Sequence, residues 1–367
     1  MSKLRVAVIG AGRLGGFHAQ KLAARTDVEL VAIVDPMAAN RDRVAQQAGA
    51  KAVADYAELL GQIDAAVVAA PTSLHHRIGC DLLKAGVHLL VEKPLCSNWA
   101  DAEELVSLAR QHKAVLQVGH VERFNPAYVA AANQISEPKY IDAVRTSGFT
   151  FRSTDVGVVL DVMIHDIDLV LAMVGSPVRK VDALGFSVLG GHEDIANARI
   201  EFESGCVANL SASRVSYESL RRMHAWSVDG FASVDYVART ATLVTPSEFL
   251  LRRKFDVNAL SAEQVEHYRQ HFAEEHLPRE QLGFEAVDAL ALEVEDFVTA
   301  IRDRREPRVN GEAGRDALAV AEQILAQIED HCWDASSKGL SGPWALPGRH
   351  ILSSPLMQPA VRRSKAG

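Results

Sequence analysis

Residues 4–35 constrain this chain more than any other stretch. An apolar run, Val6-Ala7-Val8-Ile9, flows straight into Gly10-Ala11-Gly12-Arg13-Leu14-Gly15, and a second apolar run, Leu30 to Val34, ends on Asp35. Strand, glycine turn, helix, strand and acid in that order match a dinucleotide-binding βαβ unit. Gly10 permits the tight turn, Gly12 lets the backbone approach a pyrophosphate, and Gly15 lets helix and sheet pack closely. The helix that begins at Arg13 and Leu14 offers free N–H groups and the positive end of its dipole to phosphates. Asp35 follows the last glycine by about 20 residues, where a carboxylate binds ribose hydroxyls. That acid favours NAD over NADP, because it repels a 2′-phosphate, while Arg13 and Arg41 soften the preference. The plain alternative is an ordinary glycine turn, and the flanking strands argue against it.

The pattern continues to about residue 118. Apolar strand segments at 4–9, 28–34, 64–69, 87–91 and 114–118 alternate with helices starting near Leu14, Ala38, Leu74 and Ala100. This reads as an N-terminal Rossmann domain, a doubly wound parallel sheet, over 1–125. Ligands of such sheets sit at the carboxyl ends of the strands. Chemistry is therefore expected in the loops Gly10–Gly15, Asp35-Pro36, Ala70-Pro71-Thr72, Glu92-Lys93-Pro94 and Gly119-His120.

From residue 126 to 332 the pattern changes to a second α/β domain with a large, mostly antiparallel open sheet. Ala196, Ala198, Ile200 and Phe202 alternate with polar neighbours, Glu203-Ser204-Gly205 turns, and His224 to Tyr236 reads as a hairpin about Asp229-Gly230. Helical periodicity returns over 284–303 and 312–330, and the second helix is expected to pack back on the first domain. The tail 333–367, rich in Gly, Pro and Ser, reads as an extended or disordered arm.

Two constellations carry chemistry. Lys93 follows the apolar strand Val87–Val91, and Pro94 fixes the chain direction after it, with a cis bond as one route. A surface lysine at a turn is the competing reading. In Asp161-Val-Met-Ile-His165 the acid and the imidazole are four residues apart, so on a helix they share a face, and the carboxylate can orient the ring. A satisfied core Asp–His pair is the alternative. Asp166 and Asp168 read as structural, through a cap or a salt bridge. In Gly119-His120-Val121-Glu122-Arg123-Phe124-Asn125-Pro126, Arg123 either holds a phosphate or sugar or pins the two domains.

These pieces resemble the Gfo/Idh/MocA oxidoreductases, the group of glucose–fructose oxidoreductase and inositol dehydrogenase. The resemblance rests on GAGRLG (10–15), Asp35, AAPTSLH (69–75), EKP (92–94), RFNP (123–126) and DVMIHDIDL (161–169). It implies Lys93, Asp161 and His165 as the catalytic set, with His165 the general base, Asp161 aligning it, and Lys93 stabilising alkoxide character or sharing the proton. It also implies Pro71, Thr72, His75 and Glu92 near the cofactor, Arg123, Asn125 and Arg214 beside the substrate, and a homodimer or homotetramer joined through the C-terminal sheet. The wording GHVERFNP, GVVLDVMIHDID and HEDIANARIEFESGCVANLSASRVS is similar to the branch that oxidises the 3-hydroxyl of UDP-N-acetylglucosamine for lipid A. A diphosphate there would draw on Arg123, Arg152, Arg214, Arg221 and Arg222. Dehydrogenation of inositol or a free sugar, NAD-dependent glycoside hydrolysis and a non-catalytic NAD-binding regulator are the rivals.

A formal charge of −8 argues against nucleic acid or an anionic membrane as partner. Cys80, Cys96, Cys206 and Cys332 show no CxxC and no metal spacing, so reduced thiols in a cytoplasmic protein are expected and no metal is. A first strand near residue 4 leaves no room for a signal peptide, and no apolar run approaches the ~18 residues of a membrane span.

Overall fold

A computed structural model describes residues 2–151, 156–285, 287–333 and 341–343. Arg152 and nearly all of the expected tail lie outside these residues.

The first sheet is parallel. Its strands are β1 (Leu4–Ile9), β2 (Val28–Val34), β3 (Lys51–Val53), β4 (Ala65–Val68), β5 (His88–Glu92) and β6 (Leu116–Gly119), in the order β3-β2-β1-β4-β5-β6. Its crossovers are α1 (Arg13–Ala23), α2 (Ala38–Ala48), α3 (Thr72–Lys84) and α4 (Trp99–His112). The central strands are buried on both faces; Val6, Ala7, Val8, Ala65, Ala66, Val67 and Val68 are all 0% exposed. Continuous apolar runs rather than alternation are what a sheet covered by helices on both sides requires. The order reverses between β1 and β4, and a ligand crevice opens at such a switch point. β3 is the one strand of this sheet that the sequence reading passes over; three residues at an edge carry no usable period.

The second sheet has eight strands. They are β7 (Tyr140–Thr146), β8 (Val178–Phe186), β9 (Ile195–Phe202), β10 (Val207–Ser213), β11 (Leu220–Trp226), β12 (Phe231–Asp235), β13 (Thr240–Val244) and β14 (Arg279–Gly283). Their order is β14-β13-β12-β11-β7-β10-β9-β8, antiparallel except for β7 with β10. The expected alternation holds, with Ala196, Ala198, Ile200 and Phe202 all buried, and Trp226 pairs with Phe231 across the expected hairpin. The opposite face carries Tyr140, Trp226, Phe231 and His224, whose rings touch one another.

Helices α5 (Pro126–Gln134) and α6 (Ile164–Val174) line the covered side of this sheet. Beyond β13 the chain adds α7 (Glu248–Leu251) and α8 (Ala262–His276) before returning as β14. α8 buries no residue of its own, which is why its pattern was silent. Of the last two helices, α9 (Ala289–Asp303) buries Val294, Phe297 and Val298 on the first sheet. α10 (Gly311–Asp330) is shared: Leu318 joins the core of the first sheet, while Ala321, Ile324 and Ile328 join that of the second. The chain then stays attached for a short way, with the Trp333 ring against Phe186 and Ser187 N–H donating to Pro343 O at 3.1 Å.

Candidate active site

The carboxyl ends of β1, β4, β5 and β6 open into a cleft of about 810 Å³. Gly12, Arg13, Leu14 and Phe17 form one end, Thr72 and Pro94 a wall, and Lys93, Asp161, His165, Arg145 and Arg221 the side shared with the second sheet. A separate cavity of about 620 Å³ lies at the amino ends of β5 and β6, beside His88, Lys113 and Arg304. It receives none of the loops that the strand order directs to a ligand.

The glycine loop is built as its spacing requires. Gly10 has φ +101°, and a Cβ there would meet Ala69 O at 2.4 Å. A Cβ on Gly15 would meet Gly10 O at 1.8 Å. A Cβ on Gly12, by contrast, would meet nothing within 4 Å. Gly12 also caps α1 without a side-chain hydrogen bond, and the first turn carries no acid. This is an open, electropositive helix end that fits a pyrophosphate. Asp35 closes the loop from β2: Oδ2 accepts from Ala11 N–H and Oδ1 from Met37 N–H, both at 2.8 Å. Each carboxylate oxygen keeps a further lone pair for a ribose hydroxyl. Arg41 donates to Asp35 O at 3.0 Å and pairs with Asp42, so its charge is engaged beside the acid.

β5 delivers Lys93 to the cleft, and the Lys93–Pro94 bond is cis. Lys93 Nζ donates to Asp161 O at 2.6 Å and to Asp161 Oδ1 at 3.1 Å. This corrects one expectation. Asp161 and His165 do line the same cleft, but the carboxylate is held by the lysine, and no hydrogen bond joins it to His165 among the described residues. An ammonium competes for a carboxylate more strongly than a neutral imidazole does. The segment carrying Asp161, Val159–Met163, winds as a π-helical turn ahead of α6. Glu193 holds it, Oε1 accepting from Val159 N–H at 3.1 Å, and a Cβ on Gly157 would lie 2.0 Å from that oxygen.

Burial, then the charges of Lys93 and Arg145, push the His165 imidazole well below the ordinary histidine range. The ring is therefore neutral near neutrality and free to accept a proton.

Beneath the lysine lies a charged floor. His18 Nε2 donates to Glu92 Oε1 at 2.6 Å. Burial opposes the ionisation of Glu92, but His18 and Lys93 outweigh it and hold the carboxyl low. Glu293 from α9 joins them, wholly buried, with neither carboxylate oxygen hydrogen-bonded. Burial first, then the Glu92 charge, push this carboxyl well above the usual range. An acid that stays protonated when folded but ionises when unfolded makes stability fall as pH rises above the unfolded value. Glu293→Gln is therefore expected to gain stability relative to the wild type as pH rises from about 5 to about 7, through and above the ordinary carboxylate range. Urea unfolding at the two pH values checks this.

Several expected contacts are elsewhere. His75 is 1% exposed; Nδ1 faces Pro94 O at 3.0 Å and Nε2 faces Ala70 O at 2.9 Å. It sits behind the wall and ties two active loops together rather than facing the cleft. Asn125 caps α5, accepting from Ala127 N–H at 3.1 Å. Arg214 is buried on Asp194 at 2.7 Å and donates to Val156 O. Arg123 Nε lies 3.1 Å from buried Asp168. None of these three lines the cleft, because each is drawn to a partner inside the protein. Arg222 pairs with Asp235. Arg221 remains: it lines the cleft, half exposed, with Glu122 4.0 Å away.

The sequence reading missed Arg145. It makes a two-pronged bond to Asp166, at 3.0 and 2.8 Å, and reaches Glu122 at 2.9 Å, fixing β7, α6 and the Val121–Phe124 turn around the cleft. The signal was present: Ile141, Ala143 and Arg145 alternate on the covered face, and a cation there needs an acid.

Residues 4–120 match the model of an oxidoreductase family with an NAD-binding Rossmann fold, and residues 129–230 match the GFO/IDH/MocA C-terminal domain. The UDP-N-acetylglucosamine 3-dehydrogenase of Acidithiobacillus ferrooxidans is 35% identical over 90% of this chain and 98% of that protein. A solved structure of that dehydrogenase covers 90% of this chain and 99% of its own, with a TM-score of 0.77. The NAD(+)-dependent scyllo-inositol 2-dehydrogenase of Bacillus subtilis is 30% identical over 58% of this chain and 68% of that protein. With both family regions in sequence and a full-length relative of this similarity, the chain belongs to the GFO/IDH/MocA family of NAD-dependent oxidoreductases.

Proposed function

We propose that this protein oxidises the 3-hydroxyl of UDP-N-acetylglucosamine to the 3-oxo sugar nucleotide, reducing NAD. The observation that carries the chemistry is the meeting of Lys93, from the end of β5, with His165, from α6, on one cleft at the glycine loop. The substrate reading is supported by similarity to the Acidithiobacillus ferrooxidans dehydrogenase over nearly its whole length. On this reading residues 1–125 bind the cofactor, 126–332 bind substrate, and α10 couples the two.

Gly10, Gly12, Gly15 and the N–H groups at Arg13 and Leu14 hold the pyrophosphate, Asp35 the adenosine ribose, and Pro71, Thr72 and Glu92 border the ring end. Bound NAD supplies the hydride acceptor. His165 takes the hydroxyl proton through its neutral ring. Lys93 donates to the same oxygen as alkoxide character develops, its ammonium aimed by the carbonyl and carboxylate of Asp161. Arg221 is the cation available to a diphosphate. Arg123, Asn125 and Arg214 act as supports of the cleft rather than as ligands.

The 3-oxo product suits a later transamination toward lipid A with amide-linked chains. We place the reaction in the cytoplasm, with its supply of nicotinamide cofactor, and place a second copy of the chain against the open face of the eight-stranded sheet. No helix among the described residues is long and apolar enough to cross a membrane. The test is incubation with NAD and a panel of UDP-sugars and free polyols while following NADH absorbance. NADH with UDP-N-acetylglucosamine is expected; a signal with a polyol and none with that nucleotide rejects the substrate.

A further inference from the structure

The assigned base lacks an orienting partner. His165 Nδ1 is buried with no hydrogen bond, while its other nitrogen belongs to the cleft side of the ring. A neutral imidazole has one N–H, and the partner of one nitrogen decides whether the other can accept a proton. Asp161, the residue placed by spacing to do this, is engaged by Lys93.

His120 stands beside His165. It follows β6, is 1% exposed, and meets His165 edge-on, with ring centroids 6.3 Å apart and planes at 88°. Both of its ring nitrogens are buried without a hydrogen bond. Behind it, Asp168 Oδ2 is likewise buried without one, held only in an ion pair with Arg123. Two imidazoles with buried, unbonded nitrogens and a carboxylate held only by its ion pair are neighbours here, and buried polar groups of this kind call for a hydrogen-bond partner. The ring separation is too long for a direct N–H···N bond and suits one intervening water.

We propose that His120 is a positioning residue for the reaction: through one bridging water it accepts a hydrogen bond from His165 Nδ1–H, so that the unprotonated Nε2 faces the substrate hydroxyl. The Asp168 carboxylate favours the His120 N–H on its own side, which leaves the lone pair of His120 directed at His165. The hydroxyl proton goes to His165 Nε2 and the hydride to the cofactor; the Nδ1 proton stays where it is. The cations facing this pair are Lys93, Arg123, Arg145 and Arg221, and the acids are Glu92 and Asp168.

This rests on His165 as base but not on the substrate, so the first readout needs no turnover. Long-range 1H–15N spectra of the histidine-labelled full chain with NAD, assigned with His165→Ala, report the tautomer directly. The Nδ1–H form of His165 is expected in the wild type, and its loss in His120→Phe. An Nε2–H form in the wild type, which needs no variant to fold, overturns the proposal. In kinetics, His120→Phe is expected to lower kcat by about tenfold or more, as a wrong tautomer does in other histidine bases, with the Kd for NAD unchanged. His120→Gln, which keeps an acceptor, restores most of it. A folded His120→Phe with the wild-type tautomer and kcat also overturns the role of His120. Absence of turnover with UDP-N-acetylglucosamine in wild type and variants alike rejects the substrate reading and leaves the spectra to decide this one.

Discussion

His165→Ala is expected to bind NAD as the wild type does and to lose turnover by roughly 10²–10⁴-fold, the range for a missing acid–base group. The cofactor side of the cleft is built from the loops after β1, β2, β4 and β5, and among the described residues no hydrogen bond joins His165 to any of them. The loss therefore falls on the chemical step. The pH dependence carries a second mark. The folded-state value of His165 is depressed, with burial the largest cause and Lys93 the next. A depressed base stays unprotonated to lower pH, so the acid limb of kcat for the wild type should lie below the ordinary histidine range, and His165→Ala should lose that limb. Titration calorimetry with NAD and pH profiles of NADH formation measure both. Turnover unchanged by the substitution removes His165 from the mechanism.

Lys93→Met should cost about 10²–10³-fold in kcat, the loss typical of removing one donor to a developing oxyanion. Methionine keeps the length and apolar stem, so the effect isolates the ammonium. Asp161→Asn should cost clearly less. The shorter of the two Lys93 contacts, 2.6 Å, is to the main-chain carbonyl of Asp161, and that acceptor survives the substitution. Were Asp161 instead the partner of His165, Asp161→Asn would disturb the imidazole and leave Lys93 in place, and its loss would approach that of His165→Ala. The ranking of these three variants by kcat separates the two arrangements.

What the chain announces and what it conceals divide along a physical line. Gly10, Gly15 and Asp35 were readable because each answers a local demand of the backbone: a positive φ, a contact that admits no Cβ, a carboxylate at the end of β2. Strands buried on both faces and the alternation of β9 were equally local. The pairing of charges was not, because it depends on which elements meet. Arg123 and Arg214 look like phosphate ligands until Asp168 and Asp194 are brought against them. Spacing alone gives Asp161 to His165, but only the packing of β5 against the Val159–Met163 turn shows that Lys93 reaches it first. Glu293 was hidden for the same reason: on α9 it is one acid among several, and its isolation appears only when the helix lies on the first sheet beside Glu92. The β13 to β14 extension had no amphipathic signal to read, since α8 buries nothing within the chain.

The central claim is that Lys93 and His165 serve one oxygen in a single transition state, and a double-substitution cycle on kcat with UDP-N-acetylglucosamine and NAD tests it most directly. Groups acting as a unit are far from additive. Lys93→Met with His165→Ala is expected to be little slower than the worse of the two single variants. Losses that multiply across the pair would place the two side chains in independent roles and contradict the account.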